Sequence, residues 1–435
     1  MARAMKDSGI EWIGEIPEGW QLSRIKYVSD FEPKCDFSNL SVDDTLTYTP
    51  MENIKNGYYI PNTAPLGTLS TSLTAYQDND IVMAKVTPCF ENGNIAVMNG
   101  LSSGVGLGSS ELFVFRAKEM QTRYLFYWLQ NKAFVEQAKS TMTGTGGLKR
   151  VSPQFVRDCA IHCPPPHEQA QIAVFLDAEC ARIDAVIGQT RASIQEYKKL
   201  KQSVITQAVT NGIRPGRKMK DSGNNDIGCI PNEWEIVRLK YLTTDIIDCP
   251  HETPEYSAEG EYLVIRTADQ DYARLRSDSN MFRLNYEQYV NRTRRMTLDK
   301  DDIVYGREGE RWGLACLVPE SERYCLGQRM MQFRCDQKRI LPLFAMYALS
   351  SSHVRRQGEY DTFGSTSPHV NISTIRNYRI PLPSISEQKE ICEYIHEKVL
   401  YLDMLVDKKE KAVADLESYK KSLIFEYVTG KKEVI

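Results

Sequence analysis

Two long stretches of this chain carry apolar residues at helical spacing. From Glu168 to Thr210, and again from Glu387 to Thr429, there are 43 residues without proline, and Gly188 is the one glycine in the pair. A heptad fits both stretches. In the first, the a positions are Leu176, Ile183, Thr190, Tyr197 and Val204, and the d positions are Ile172, Glu179, Val186, Ser193, Leu200 and Gln207. In the second, a is Ile395, Leu402, Lys409, Leu416 and Leu423, and d is Ile391, Lys398, Leu405, Ala412, Tyr419 and Glu426. Proline lies only ahead of each stretch, at Pro164 to Pro166 and at Pro383, where its fixed φ suits a helix entrance. Ser384-x-x-Glu387 adds a capping box. Each stretch predicts a helix about 65 Å long at ~1.5 Å per residue.

The polar interruptions recur at matching places, Glu179/Lys398, Thr190/Lys409 and Gln207/Glu426. Polar a and d residues weaken a coiled coil but set its register. A half-polar helix gains its stability from packing an apolar face, and the simplest partner for each helix is the other copy, running antiparallel. The predicted helix–helix or partner surface is Ile172, Leu176, Ile183, Val186, Leu200 and Val204 with Ile391, Ile395, Leu402, Leu405, Leu416 and Leu423. The alternative, a solvent-exposed spacer, leaves this stripe uncovered.

The remaining residues read differently. Segments 28–160 and 242–379 hold short β-like runs between turn residues, such as Asp80 to Val86, Asn94 to Met98, Leu112 to Arg116, Tyr262 to Arg266, Ile303 to Tyr305 and Leu314 to Val318. One helix per segment is predicted, at Thr122 to Lys139 and Leu341 to Arg356. This is an α/β, or mixed α+β, pattern.

The chain is also an internal duplication. Residues 5–27 (MKDSGIEWIGEIPEGWQLSRIKY) and 219–241 (MKDSGNNDIGCIPNEWEIVRLKY) agree at 13 of 23 positions. Residues 161–176 (IHCPPPHEQAQIAVFL) echo 380–395 (IPLPSISEQKEICEYI), and 201–210 echo 420–429. Between these blocks the halves align poorly, apart from Asp80-Ile81-Val82/Asp302-Ile303-Val304 and Phe115-Arg116/Phe333-Arg334. The organisation read from this is a pseudo-two-fold repeat: a domain at 1–160, a long helix and linker at 161–218, a second domain at 219–379 and a second long helix at 380–435.

Length, at 435 residues, allows two to four domains. Apolar content (42%) and charge (26%) are ordinary for a soluble globular chain, and no run approaches a membrane span. No signal-type h-region follows the first basic residues. Eleven cysteines, odd in number and scattered, suit reduced thiols in a cytoplasmic protein better than a disulfide framework. A net charge of −3 counts against nucleic-acid binding by bulk electrostatics alone.

Several polar segments are candidate recognition surfaces. Thr141 to Arg150 (TMTGTGGLKR) is a Gly/Thr loop ending in two cations, with Thr143, Thr145, Lys149 and Arg150 able to meet phosphate. Its counterpart is Thr362 to His369, with Ser365, Thr366 and Ser367. Tyr305 to Arg311 (YGREGER) offers Arg307 and Arg311 for guanine and Glu308 or Glu310 for cytosine, with Lys85 at the aligned place. The alternative there is a solvated hairpin tip. Arg292, Arg294 and Arg295 form the densest basic cluster, open to either a phosphate contact or a plain solvated face.

Catalytic signatures are missing: there is no GxxxxGK[ST], HExxH or GxSxG string and no Asn/Asp-Pro-Pro-aromatic string. Cys159, His162 and Cys163 lack a second ligand pair at finger spacing, although Cys249 and His251 are available to complete a zinc site. Glu32-Pro33-Lys34 is a nuclease-type ExK string that arises often by chance. The chain reads as a binder, not a catalyst. A protein-binding adaptor and a self-sufficient nuclease or methyltransferase are the competing readings.

The arrangement resembles the specificity subunits of bacterial Type I restriction–modification systems. The WIGEIPEGW-type block, PPPHEQAQIAVFL, PLPSISEQKEICEYI and the helices that follow carry the resemblance, which covers nearly the whole chain. It departs in PPPH at the first helix entrance and in Gly188. The resemblance implies two target recognition domains, each reading half of a split, asymmetric site on double-stranded DNA. The helices then act as a spacer ruler and dock two modification subunits, with two restriction subunits joining. It places S-adenosylmethionine, ATP and Mg on those partners and no cofactor or metal in this chain.

Overall fold

The computed structural model describes residues 3–145, 147–276, 280–362 and 368–434. Two compact units emerge, Met1–Arg191 with Lys411–Ile435, and Ala192–Glu410. The division falls inside both long helices, which run over Pro166–Asn211 and Ile385–Val428. Each unit therefore holds one mixed α/β domain and a stretch of each helix.

Gly188 does not break the first helix. It sits exposed on the helix surface, and a Cβ built there meets nothing within 4 Å. Both helices end at a glycine with positive φ, Gly212 (+73°) and Gly430 (+69°), a conformation that releases the chain from the helix at little steric cost.

The domains are built alike. In the first unit a four-stranded sheet runs in the order Ser29–Phe31, Leu112–Ala117, Ile81–Ala84, Ile95–Val97. In the second the order Thr243–Asp248, Met330–Cys335, Ile303–Gly306, Ala315–Leu317 repeats it. A second sheet in each domain contains one parallel pair, Thr45–Thr49 beside Val105–Gly108 and Tyr262–Ile265 beside Tyr324–Leu326. Strands Ile81–Ala84 and Ile303–Gly306 are buried at every residue, which is why they read as continuous hydrophobic runs. The Asp80/Asp302 and Arg116/Arg334 echoes between the halves prove to be one ion pair made twice, a part-exposed arginine on a buried aspartate. Arg116 grips Asp80 through two bonds of 2.8 Å, and Arg334 grips Asp302 at 2.9 and 2.7 Å.

The single helix predicted in each domain is two helices. Thr122–Trp128 and Lys132–Ser140 are separated where Asn131 turns out to cap the second of them, accepting from the Phe134 N–H. Pro342–Leu349 and Ser352–Thr362 are separated at Ser350 and Ser351. Asn and Ser compete with the helix for backbone hydrogen bonds, so an unbroken apolar pattern hides the break.

Within each unit the long helices lie antiparallel. In the first, Asp184 meets Lys420 and Arg191 meets Glu417, the partner number falling as the first rises. In the second, Lys198 meets Glu410 and Lys201 meets Asp403. From Glu179 on, the inward stripe of the first helix lies one residue past the predicted d positions. Cys180, Ile187, Ile194 and Lys201 are buried, whereas Val186 and Leu200 are 43% and 48% exposed. The second helix repeats the shift, with Val413 buried where Ala412 and Tyr419 face outward. Ile172, Leu176, Ile183, Ile391, Ile395, Leu402 and Leu423 are buried as read, and Val204, Leu405 and Leu416 are half-buried. An apolar count alone favours Val186 and Leu200, but the true stripe admits Lys201 because its ammonium pairs with Asp403.

The entry blocks pin these helices. The Trp20 indole N–H donates to Glu168 Oε2 at 2.9 Å, and Arg3 donates to the same carboxylate at 2.9 Å. Burial works against ionisation of Glu168, but the bonds from Arg3 and Trp20 more than offset it and hold the carboxyl below the ordinary range. Trp234 donates to Glu387 Oε2 at 3.0 Å, with Arg217 on the same carboxylate. The adjacent glutamines act as clips. Gln169 accepts the Gln121 N–H (2.8 Å) and donates to the Pro164 carbonyl (2.9 Å), and Gln388 does the same with Leu341 (2.8 Å) and Pro383 (3.0 Å).

Two predictions follow from this packing. Gly188→Ala should raise stability by roughly 0.5–1 kcal/mol, the helix-propensity difference, read as a higher urea midpoint with an unchanged slope. The second concerns His162. It is buried in the first-unit core, its Nδ1 accepts the Trp128 indole N–H (3.0 Å), and burial, reinforced by Lys431, lowers its pKa to about 4. The unfolded chain protonates near pH 6.5, so stability is intact above that value and falls as pH drops from about 6.5 towards 4, by up to about 3 kcal/mol. His162→Gln keeps an acceptor for Trp128 and should flatten the first unit's stability profile over that window, measured by pH-dependent hydrogen exchange.

Candidate nucleic-acid interface

In the first domain the loop after Ser140 folds back onto the end of a central strand. Thr143 and Arg150 exchange backbone hydrogen bonds at 3.1 and 2.8 Å, and Val86 forms a β-bridge with Arg150. The Thr87 hydroxyl donates to the Gly147 carbonyl (2.8 Å) and accepts the Lys149 N–H (2.9 Å). Lys85 and the whole loop are thereby brought together. Thr143, Thr145, Lys149 and Arg150 are exposed, and Lys85 is half-buried with its ammonium 5.8 Å from the Phe113 ring centre. Arg150 is bound bidentately to Glu111 at 2.8 and 2.7 Å, and its guanidinium holds that carboxyl below the ordinary range. Lys149 forms no ion pair among the described residues.

In the second domain Arg307, Glu308 and Arg311 follow the equivalent strand, Ile303–Gly306, while Arg292 ends the helix Tyr286–Arg292 with Arg294 and Arg295 just beyond it. Glu308 bridges His369 as Val86 bridges Arg150. A polar network gathers around Asp248. Arg307 donates to its carboxylate at 2.9 Å, His251 lies 3.1 Å away, and Arg295 donates to its carbonyl at 3.0 Å. Glu308 closes the network through Arg307 (2.9 Å) and His369 (3.1 Å). Arg294 and Arg295 are exposed. Arg311 is half-buried, with a guanidinium N–H on the Gln270 carbonyl. Ser365, Thr366 and Ser367 lie outside the described residues.

Two residues read as surface groups are not at the surface. Arg292 is 6% exposed, with its guanidinium donating to the carbonyls of Leu326 (2.7 Å) and Glu252 (2.5 Å). Arg307 is 3% exposed and held by two carboxylates. A charged group so buried must be paired, and both act first as struts for the surrounding loops. Sequence gives no sign of this, because apart from Glu308 beside Arg307 these partners lie 34 to 59 residues away.

One surface group escapes sequence reasoning altogether. Tyr256 and Phe282 are partly exposed with ring centres 4.5 Å apart, and the Arg266 guanidinium lies 3.7 Å over the Phe282 ring. The three are scattered across 27 residues, so no local motif announces them.

The zinc reading meets a geometric obstacle. His162 Nδ1 already accepts the Trp128 indole N–H, and Cys159 is buried in the first-unit core. Among the described residues no three His, Cys, Asp or Glu side chains converge as ligands, and no helix is long and apolar enough to cross a membrane.

Comparison with known proteins addresses the whole chain. The family model for the Type I restriction modification DNA specificity domain matches twice, over residues 17–196 and 231–411. The Type I restriction enzyme MjaVIII specificity subunit of Methanocaldococcus jannaschii is 25% identical over 440 residues, spanning 96% of this chain and 94% of that protein. The Type I restriction enzyme EcoEI specificity subunit of Escherichia coli is 29% identical over 196 residues, 44% of this chain and 33% of that protein. A solved chain from work on complex assembly and conformational transition of the type I R-M system shares the fold, with a TM-score of 0.69 at 17% identity over 96% of this chain and 99% of that one. The chain belongs to the family of Type I restriction modification DNA specificity domains.

Proposed function

We propose that this chain is the DNA-reading specificity subunit of a Type I restriction–modification complex, with each α/β domain reading one half of a bipartite, asymmetric site. The observation that carries the reading is the double family match. Each match enters through an entry block, crosses one variable domain and ends inside a long helix. Two readers of unlike sequence joined by helices of set length accept unlike half-sites at a set separation.

In this reading the contacts come from equivalent strand ends and, in the second domain, from just beyond the helix Tyr286–Arg292. Thr143, Thr145, Lys149 and Arg150, with Lys85 behind them, serve the first domain. Arg294, Arg295, Glu308 and Arg311 serve the second, braced by Arg292 and Arg307, and Ser365, Thr366 and Ser367, outside the described residues, are its further sequence candidates. Lys149 and the exposed arginines position the chain on phosphates, and groups reaching base edges supply the sequence choice. The weak net charge leaves much of the phosphate contact to partners. Val186 and Leu200, exposed on the first helix, are available to a modification subunit. Two modification and two restriction subunits complete the assembly. Chemistry, with S-adenosylmethionine, ATP and Mg, resides on them, and this chain contributes no catalytic group. The helices set the spacer between half-sites.

Mapping methylation in a genome modified by the assembled enzyme tests the reading directly. It should return one split site with two unlike halves; a continuous site, or none, would overturn it. Deleting one heptad from each long helix, so that antiparallel pairing is retained, removes ~10 Å of helix and should shorten the preferred spacer by about 1–3 base pairs. Lys149→Ala in the assembled complex should weaken binding by a similar factor on all sequences and reduce the salt slope by about 1, as loss of one phosphate contact does. Competition binding at several salt concentrations checks it.

A further inference from the structure

The long helices share few residues, but two of the shared positions build one ion pair twice. Lys420 reaches Asp184 at 2.7 Å in the first unit, and Lys201 reaches Asp403 at 2.8 Å in the second. An offset of 219 converts Asp184 into Asp403 and Lys201 into Lys420, so both pairs are the same interaction with the helices exchanged.

A second set of bridges occupies equivalent positions with the signs exchanged. Arg191 meets Glu417 at 2.6 Å in the first unit, and Lys198 meets Glu410 at 3.3 Å in the second. The same offset converts Arg191 into Glu410 and Lys198 into Glu417. The first helix therefore carries both cations and the second carries both anions.

The two sets respond differently to a change of partner. Suppose the first helix met the first helix of another copy in the same antiparallel register. Each Lys201 would still find an Asp184, but Arg191 would face Lys198. Two second helices would likewise keep Lys420 on Asp184's counterpart, Asp403, while setting Glu410 against Glu417. The Lys–Asp pairs fix register and are indifferent to which helix is present. The sign-exchanged pairs are not. We propose that Arg191, Lys198, Glu410 and Glu417 form a pairing code that directs each long helix to the opposite helix of the repeat and away from the same helix of a second copy. Charges flanking a helix seam choose partners in this way elsewhere, by repelling the wrong partner as well as attracting the right one. The four side chains are 45–63% exposed, so the selection acts through screened charge and weakens with salt.

The test uses the full-length chain. Glu410→Lys with Glu417→Arg gives the second helix the charges of the first, so like charges face each other as they would between two first helices. Melting at low salt should drop by ~3–6 °C, the effect of turning two exposed attractions into repulsions. Adding Arg191→Glu and Lys198→Glu exchanges all four signs and should restore the melting temperature to within ~1 °C of the parent. The drop should shrink by at least about half in 1 M salt, where the screening length is ~3 Å. If the two-residue variant does not fold, recovery by the four-residue variant still reads the coupling. An unchanged melting temperature in the two-residue variant, or no recovery in the four-residue one, overturns the proposal. A control pair, Lys201→Asp with Asp403→Lys, should be tolerated within each unit's register but gain nothing from the other four changes; dependence on them would also overturn it.

Discussion

Much of this structure hangs on one tryptophan per unit. Trp20 is fully buried, hydrogen-bonded to Glu168 at the start of the first long helix, and its ring lies 3.1 Å from the space a Cβ would fill at Gly430, just past the end of the second. Trp234 holds Glu387 at the start of the second helix and approaches Gly212, just past the end of the first. One indole thus fixes, inside each unit, where one helix begins and where the other ends. Helices anchored at opposite ends to the same residue must run antiparallel. The glycine follows from the same constraint, since a side chain there would strike Pro17 in the first unit and the Arg217 guanidinium in the second.

The antiparallel arrangement in turn decides which polar residues the helix stripe tolerates. Lys201 is buried because Asp403 faces it. Its aliphatic stem covers apolar surface while the ammonium is paired, a compromise open to long cationic side chains. The domains are then mounted on this frame by their own cores. In the first unit Trp128, Phe113 and Phe115 share a core with Leu176, Ile183, Leu423 and Val428, and in the second Phe333 and Phe344 share one with Ile205, Val209, Ile391 and Ile395. The described candidate loops follow the ends of central strands in these cores, so they are carried on a packed base.

Function was legible early because frame and reader obey different constraints. The entry block, the Glu-Gln pair and the helix ends recur between halves because each makes the same bonds twice. The loops diverge because their side chains make no bonds that both halves repeat. What the sequence left unread were contacts between distant residues: Arg292 on Leu326 and Glu252, Arg307 on Asp248, and the aromatic group around Arg266. A cluster of arginines looks the same on a page whether it faces solvent or carbonyls.

The sequence by itself determined the duplication, the two long helices and the mixed α/β character of the domains, because these rest on periodicity and on repeated short motifs. Tertiary structure decided the rest. The helix stripe lies one residue from the heptad that apolar counting selects, burying Cys180, Ile187 and Ile194 and admitting Lys201 where Asp403 pairs with it. The domain helices break at Asn131 and at Ser350–Ser351, where side chains compete for the backbone. Burial is a property of the neighbours a residue acquires on folding, and for a charged residue those neighbours also decide whether it is a strut or a contact.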